Sequence, residues 1–92
     1  MGGKMEELIY DKLRNLEKAI ELAEKDESAK RFIGHGKKII ECVDRKDYSD
    51  ARFFYNTDFL YALRGANIRP EDKQVVDYWD AVMDLVNTLP IR

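Results

Sequence analysis

One histidine, one cysteine, a knot of basic residues and a row of aspartates are what this sequence offers for chemistry. The basic group is Lys30, Arg31, Lys37 and Lys38 around His35, and its core, Gly34-His35-Gly36-Lys37-Lys38, has the outline of a phosphate cradle. A P-loop needs a longer glycine frame after a strand and a Ser or Thr behind its lysine, because amides wrap the phosphates and the hydroxyl holds magnesium. Here the segment follows Phe32-Ile33 in a helical pattern and has no hydroxyl. The group therefore reads as a candidate anion-binding patch for phosphate or an acidic partner. Asp77, Asp80 and Asp84 stand three and four apart, on one helical face. Such a row holds a divalent cation when a second helix adds oxygens in a Glu-x-x-His or Glu-x-x-Glu pattern. The nearest donors, Glu41 and Asp44, do not make that pattern, so no metal, cofactor or catalytic residue is assigned.

The densest feature is apolar. Phe53, Phe54, Tyr55, Phe59, Leu60, Tyr61 and Leu63 crowd a segment that reads as helix, and at the helical period they point in nearly every direction. A helix that is apolar all round needs cover on most of its circumference, from its own fold or from a partner. In a chain of 92 residues self-cover is scarce. Phe53, Phe54 and Tyr61 are therefore the expected contact residues of an interface, since aromatic side chains anchor interfaces. Stacking on RNA bases also uses aromatics, but it wants interleaved Lys or Arg, and the segment offers only Arg52 and Arg64. Asp58 falls among Ala51, Phe54, Tyr61 and Ala62; on a covered face it would need Arg52, Arg64 or a tyrosine hydroxyl as partner.

Composition sets the limits. Sixteen Lys and Arg against eighteen Asp and Glu give a net charge of −2, which argues against a dedicated nucleic-acid binder. The chain is 45% hydrophobic and 37% charged, the balance of a single globular domain spanning residues 1–92. Cys42 has no partner for a disulfide or a thiolate pair for zinc, and it sits in the apolar run Ile39-Ile40-Glu41-Cys42-Val43. A reducing, cytoplasmic setting is expected, as Lys4, Glu6 and Glu7 do not suit a signal peptide and no apolar run is long enough to span a membrane.

The elements that position these residues are helical. Ile9, Leu13, Leu16, Ile20 and Ala23 step four and three and predict a helix over residues 4–25. Asp26 and Ser28 are cap candidates for a second helix over 28–45, in which Gly36 falls on the seam Ala29, Phe32, Ile39, Val43 and lets a neighbour come close. Asp47 or Ser49 starts a third, 49–64, stopped by Gly65 in the left-handed turn. Pro70 opens the fourth, 70–88, with Glu71 and Asp72 in its first turn and a seam of Val75, Trp79, Val82, Val86 and Leu89. No strand-like alternation occurs. Short connections favour antiparallel neighbours, so the expected fold is an all-α, up-down four-helix bundle. Its core should hold Ile9, Leu13, Leu16, Ile20, Phe32, Ile39, Val43, Tyr55, Phe59, Val75, Trp79, Val82 and Val86.

Two resemblances can be set beside this reading. From Lys46-Asp47-Tyr48-Ser49-Asp50-Ala51 to Leu60-Tyr61-Ala62-Leu63-Arg64-Gly65 the chain resembles a family of small archaeal helical domains of unknown function. That family carries a Gly-Asp-Tyr turn and an aromatic helix ending in Leu-Asp-Ala; here Lys46 replaces the glycine and Tyr61 the aspartate. The resemblance implies a compact helical bundle and brings no catalytic residues. Arg31 and His35 resemble the Arg-then-His pair of small helical ribonucleases, but with a shorter gap and on the second helix rather than a late one. The expected function is accordingly a non-enzymatic protein-interaction module that self-associates, as a homodimer in the simplest case. The alternative is a small RNA-processing or nucleotide-handling enzyme using the basic patch and the acidic row.

Overall fold

The computed structural model describes residues 3–90, and among them every regular element is helical. Helix α1 (Gly3–Ala23) buries the seam expected of it, Ile9, Leu13, Leu16, Ile20 and Ala23. It stops two residues early because the amides of Lys25 and Asp26 tighten onto the carbonyls of Leu22 and Ala23. The Asp26 carboxylate then accepts from the amides of Ser28 and Ala29, at 2.8 and 3.1 Å, and caps the short α2 (Glu27–Lys30).

The continuous helix expected over 28–45 is instead broken at Arg31-Phe32, and α3 runs from Ile33 to Asp44. The cause is a side chain from elsewhere. In an unbroken helix the Gly36 amide would bond the Phe32 carbonyl four residues back. The Tyr78 hydroxyl sits between these two groups, accepting from the Gly36 N–H at 2.9 Å and donating to the Phe32 carbonyl at 2.6 Å. A group inserted into the ladder breaks the helix there. Gly36 does permit a close approach, but by this hydroxyl: a Cβ at position 36 would clash with it.

Helix α3 ends in a Schellman turn, with the Asp47 amide on the Cys42 carbonyl and the Lys46 amide on that of Val43. The left-handed position of this turn, usually glycine, is Lys46, at φ 63°. Helix α4 (Tyr48–Phe54), a π turn (Tyr55–Phe59) and α5 (Leu60–Ala66) follow as one uninterrupted run. Gly65 lies inside α5, and Asn67 (φ 56°) makes the left-handed turn predicted for it. Helix α6 spans Lys73–Thr88; Pro70 and Glu71 lie in the turn before it, and Asp72 stands at its N-cap, where its carboxylate holds the Arg69 amide at 3.2 Å.

The core centres on Phe59, fully buried, with the rings of Phe32, Tyr55, Tyr78 and His35 packed around it at centroid distances of 5.8–6.4 Å. All the expected core residues are buried except Trp79. The buried aromatic of α6 is its neighbour Tyr78, while Trp79 is half-buried and donates its indole N–H to the Tyr55 hydroxyl at 3.1 Å. Arg52 of α4 reaches the far end of α6, donating to the carbonyls of Val86, Leu89 and Pro90. The negative end of the helix dipole lies here, where the last carbonyls have no amide four residues on, so a guanidinium is a suitable cap.

Candidate interaction surface

The aromatic segment takes its geometry from the π turn. Within it the Leu60 amide bonds the Tyr55 carbonyl five residues back, and the wider loop absorbs one residue more than an α turn would. The Thr57 hydroxyl also takes up the Phe53 carbonyl at 2.7 Å, a side-chain bond that loosens the ladder at this point. Ala51, Tyr55, Phe59 and Leu63 are the buried positions, each four residues from the last. At about 3.6 residues per turn that series would drift around the helix. With one residue absorbed it stays on one side, so the segment is not apolar all round: it has a buried stripe and an outer one.

The outer stripe carries Phe53 and Tyr61, 59% and 73% exposed. Eight residues spanning the π turn amount to about two turns, so the two rings stand on one side of the helix, roughly 11 Å apart along it. Phe54 differs from its expected companions: it is half-buried, packed edge-on against Phe53 at 5.9 Å, with the Lys38 ammonium 4.2 Å above its ring. Asp58 is exposed to water, so the buried-carboxylate reading does not apply to it.

The basic residues do not converge. Lys30 is exposed on α2, and Arg31 lies over the Phe32 ring at 5.1 Å. Arg31 and His35 line a shallow groove with Ala62, Gly65 and Ala66, while Lys37 turns to Glu24, in the turn just after α1, at 3.9 Å and Lys38 to Phe54. Arg31 and His35 share one groove, but Lys37 and Lys38 are drawn to other partners, so the five do not form one anion site. In the acidic row Asp84 is engaged by Lys12 at 2.9 Å, and among the described residues no group of three or more His, Cys, Asp or Glu is placed to hold a metal ion.

Two chemically notable groups are interior. Burial pushes the Cys42 thiol above its ordinary range, which Arg45 nearby offsets only in part, so the thiol is neutral and poorly nucleophilic. Burial likewise raises the Tyr78 phenol, against the opposing effect of the Gly36 N–H bond, and its proton is committed to the Phe32 carbonyl.

One surface escaped the sequence reading. Tyr10 and Tyr48 line a groove between the start of α1 and the α3–α4 junction, over Ile9, Leu13 and Val43. The available signal was Met5, Leu8 and Tyr10, apolar residues off or beyond the seam of α1 and exposed in the structure. No helix among the described residues is long and apolar enough to cross a membrane. The chain matches no protein-family model, no curated protein and no solved structure.

Proposed function

We propose that this chain is a non-enzymatic interaction module that binds a second copy of itself through the outer stripe of the 48–66 helical run. The observation that carries the reading is the pair Phe53 and Tyr61, two large rings in water on one side of a helix whose opposite side is locked into the core. Leaving such surface in water is unfavourable by about 25 cal/mol per Å², and a matching copy covers it symmetrically. Phe54, held in place by Phe53 and Lys38, forms the inner edge of the contact. The scaffold belongs to the same proposal: an up-down bundle of α1, α3, the 48–66 run and α6, supported by the contacts Glu24–Lys37, Glu6–Lys46 and Lys12–Asp84. A cytoplasmic site of action suits the unpaired, buried Cys42.

The test is solution mass by light scattering over a wide concentration range, for the parent chain and for Phe53→Glu and Tyr61→Glu. Both side chains are exposed, so both variants should fold as the parent does. The parent should approach twice the monomer mass as concentration rises, and each variant should remain a monomer. A parent that stays monomeric throughout, or variants that associate as the parent does, would refute the proposal.

A further inference from the structure

We infer that the groove between the N-terminal half of α1 and the α3–α4 junction is a docking site for a basic amphipathic helix of a partner protein. The groove encloses ≈ 480 Å³ over an apolar floor of Ile9, Leu13 and Val43. Two tyrosines form its walls, Tyr48 half-buried and Tyr10 66% exposed. Its rim is acidic: Glu6, Glu7 and Asp44 stand against one cation, Lys46. Lys46 reaches Glu6 only at 3.9 Å, and both side chains are well exposed, so in water this pair holds the groove closed only weakly. The C-terminal end of α3, with its partial negative charge, lies at the same place.

These features select the occupant. Three carboxylates and a helix C-terminus attract cations, and tyrosine faces accept ammonium or guanidinium groups above them. The apolar floor asks for Leu or Ile between those cations. Glu6, Tyr10 and Leu13 span about two helical turns of α1, the length over which a third helix can seat its apolar ridge. Among the described residues no strand offers a free edge, so an extended peptide has no backbone to pair with, and the helix-in-groove mode is the one that fits. The site shares no residue with the Phe53–Tyr61 stripe and stands or falls independently of self-association.

The probe is a synthetic amphipathic peptide of about 15 residues with Leu at helical spacing and Lys elsewhere, long enough for helix to form on binding. Its twin has Glu in place of every Lys. Titrated into the full chain and followed by amide NMR shifts, the Lys peptide should bind one to one, shifting Ile9, Tyr10 and Val43, and weaken as salt rises. Affinity should fall roughly tenfold or more in Tyr10→Ala and in the double variant Glu6→Lys/Asp44→Lys. The charge-matched control Asp77→Lys/Asp80→Lys, on the exposed side of α6, should stay within about twofold of the parent. Equal binding of the Glu twin, equal loss in both charge-reversed pairs, or no binding at low salt would overturn the inference. So would a change of solution mass in the groove variants, which would make the occupant a second copy.

Discussion

Tyr78 performs two tasks with one hydroxyl: it closes the core beside Phe59 and satisfies both halves of the backbone bond that it interrupts. Tyr78→Phe would leave the Gly36 N–H and the Phe32 carbonyl without that partner in the interior. The expected loss is about 1–3 kcal/mol, or on the order of 5–20 °C in Tm by thermal melting. The same residue sets an alkaline limit. Its folded-state pKa is raised above its ordinary value of 10.0, so the folded chain keeps a proton that the unfolded chain releases. That contribution is fully present below about pH 10 and is lost as pH climbs through the folded value, by up to about 1.4 kcal/mol per pH unit. Cys42 acts with the same sign from near its ordinary 9.0, so the diagnostic is the part of the alkaline decline that Tyr78→Phe removes. If parent and variant lose stability in parallel above pH 10, the phenol is not buried as described. The glycines give a paired check. Gly36→Ala drives a methyl into the Tyr78 hydroxyl and should destabilise by about 1–3 kcal/mol despite alanine's better helix propensity. Gly65→Ala, inside α5 with nothing within 4 Å of the new methyl, should stabilise by up to about 1 kcal/mol. That Gly36 faces a close neighbour was legible from its place on the seam. That the neighbour is Tyr78 was not, because both Tyr78 and Trp79 fit a helical stripe with Val75 and Val82; only a polar partner waiting in the core decides between them.

At the scale of elements, the discrepancies between sequence and structure have local causes that the average helical period cannot express. The 28–45 helix breaks because a distant hydroxyl enters its ladder, and the 49–64 helix contains a π turn because its apolar residues repeat every four positions. A wheel drawn at the α period spread those residues around the circumference and hid both the buried stripe and the outer one. The four-residue spacing of Ala51, Tyr55, Phe59 and Leu63 is itself the mark of the extra residue. Deleting Asn56, exposed within the π turn, should convert the spacing to four, three, four, an ordinary α seam. The shortened chain should stay folded, by circular dichroism and melting, and keep Phe53 and Tyr61 about two turns apart. Deleting the equally exposed Arg14 throws half of the α1 seam out of register and should cost several kcal/mol more. Equal damage from the two deletions would mean that the π turn is not a one-residue insertion. At the end of α3, Lys46 occupies a left-handed position that asks for glycine. Lys46→Gly should raise stability by about 1 kcal/mol, read as a rise in Tm of roughly 4–8 °C; a fall would show that the Glu6 contact outweighs the backbone strain.

For the molecule as a whole, helix content and most of the core were legible because amphipathic seams in α1 and α6 are strong and their burial follows from them directly. Surface function was less so, since exposure is what remains after packing is known: Phe54 and Asp58 changed sides once the π turn was in place, and the Tyr10–Tyr48 groove exists only where two helices diverge. The size of the Phe53–Tyr61 stripe limits what association through it can be. A stable interface buries at least about 1,200 Å² in total, and an aromatic side chain supplies about 150–250 Å². Two largely exposed rings per copy, with Phe54 at the edge, fall short of that, so the dimer should be weak and concentration-dependent rather than obligate. Binding that favours the folded state raises Tm by mass action, which makes melting temperature a second measure of the contact, independent of mass. Across a hundredfold series of concentrations the parent Tm should rise by roughly 2–5 °C. In the double variant Phe53→Glu/Tyr61→Glu it should stay flat, at a value close to that of the dilute parent. A parallel rise in both would place the contact elsewhere on the molecule, whereas a flat parent would mean that these two rings stay in water at every concentration tested.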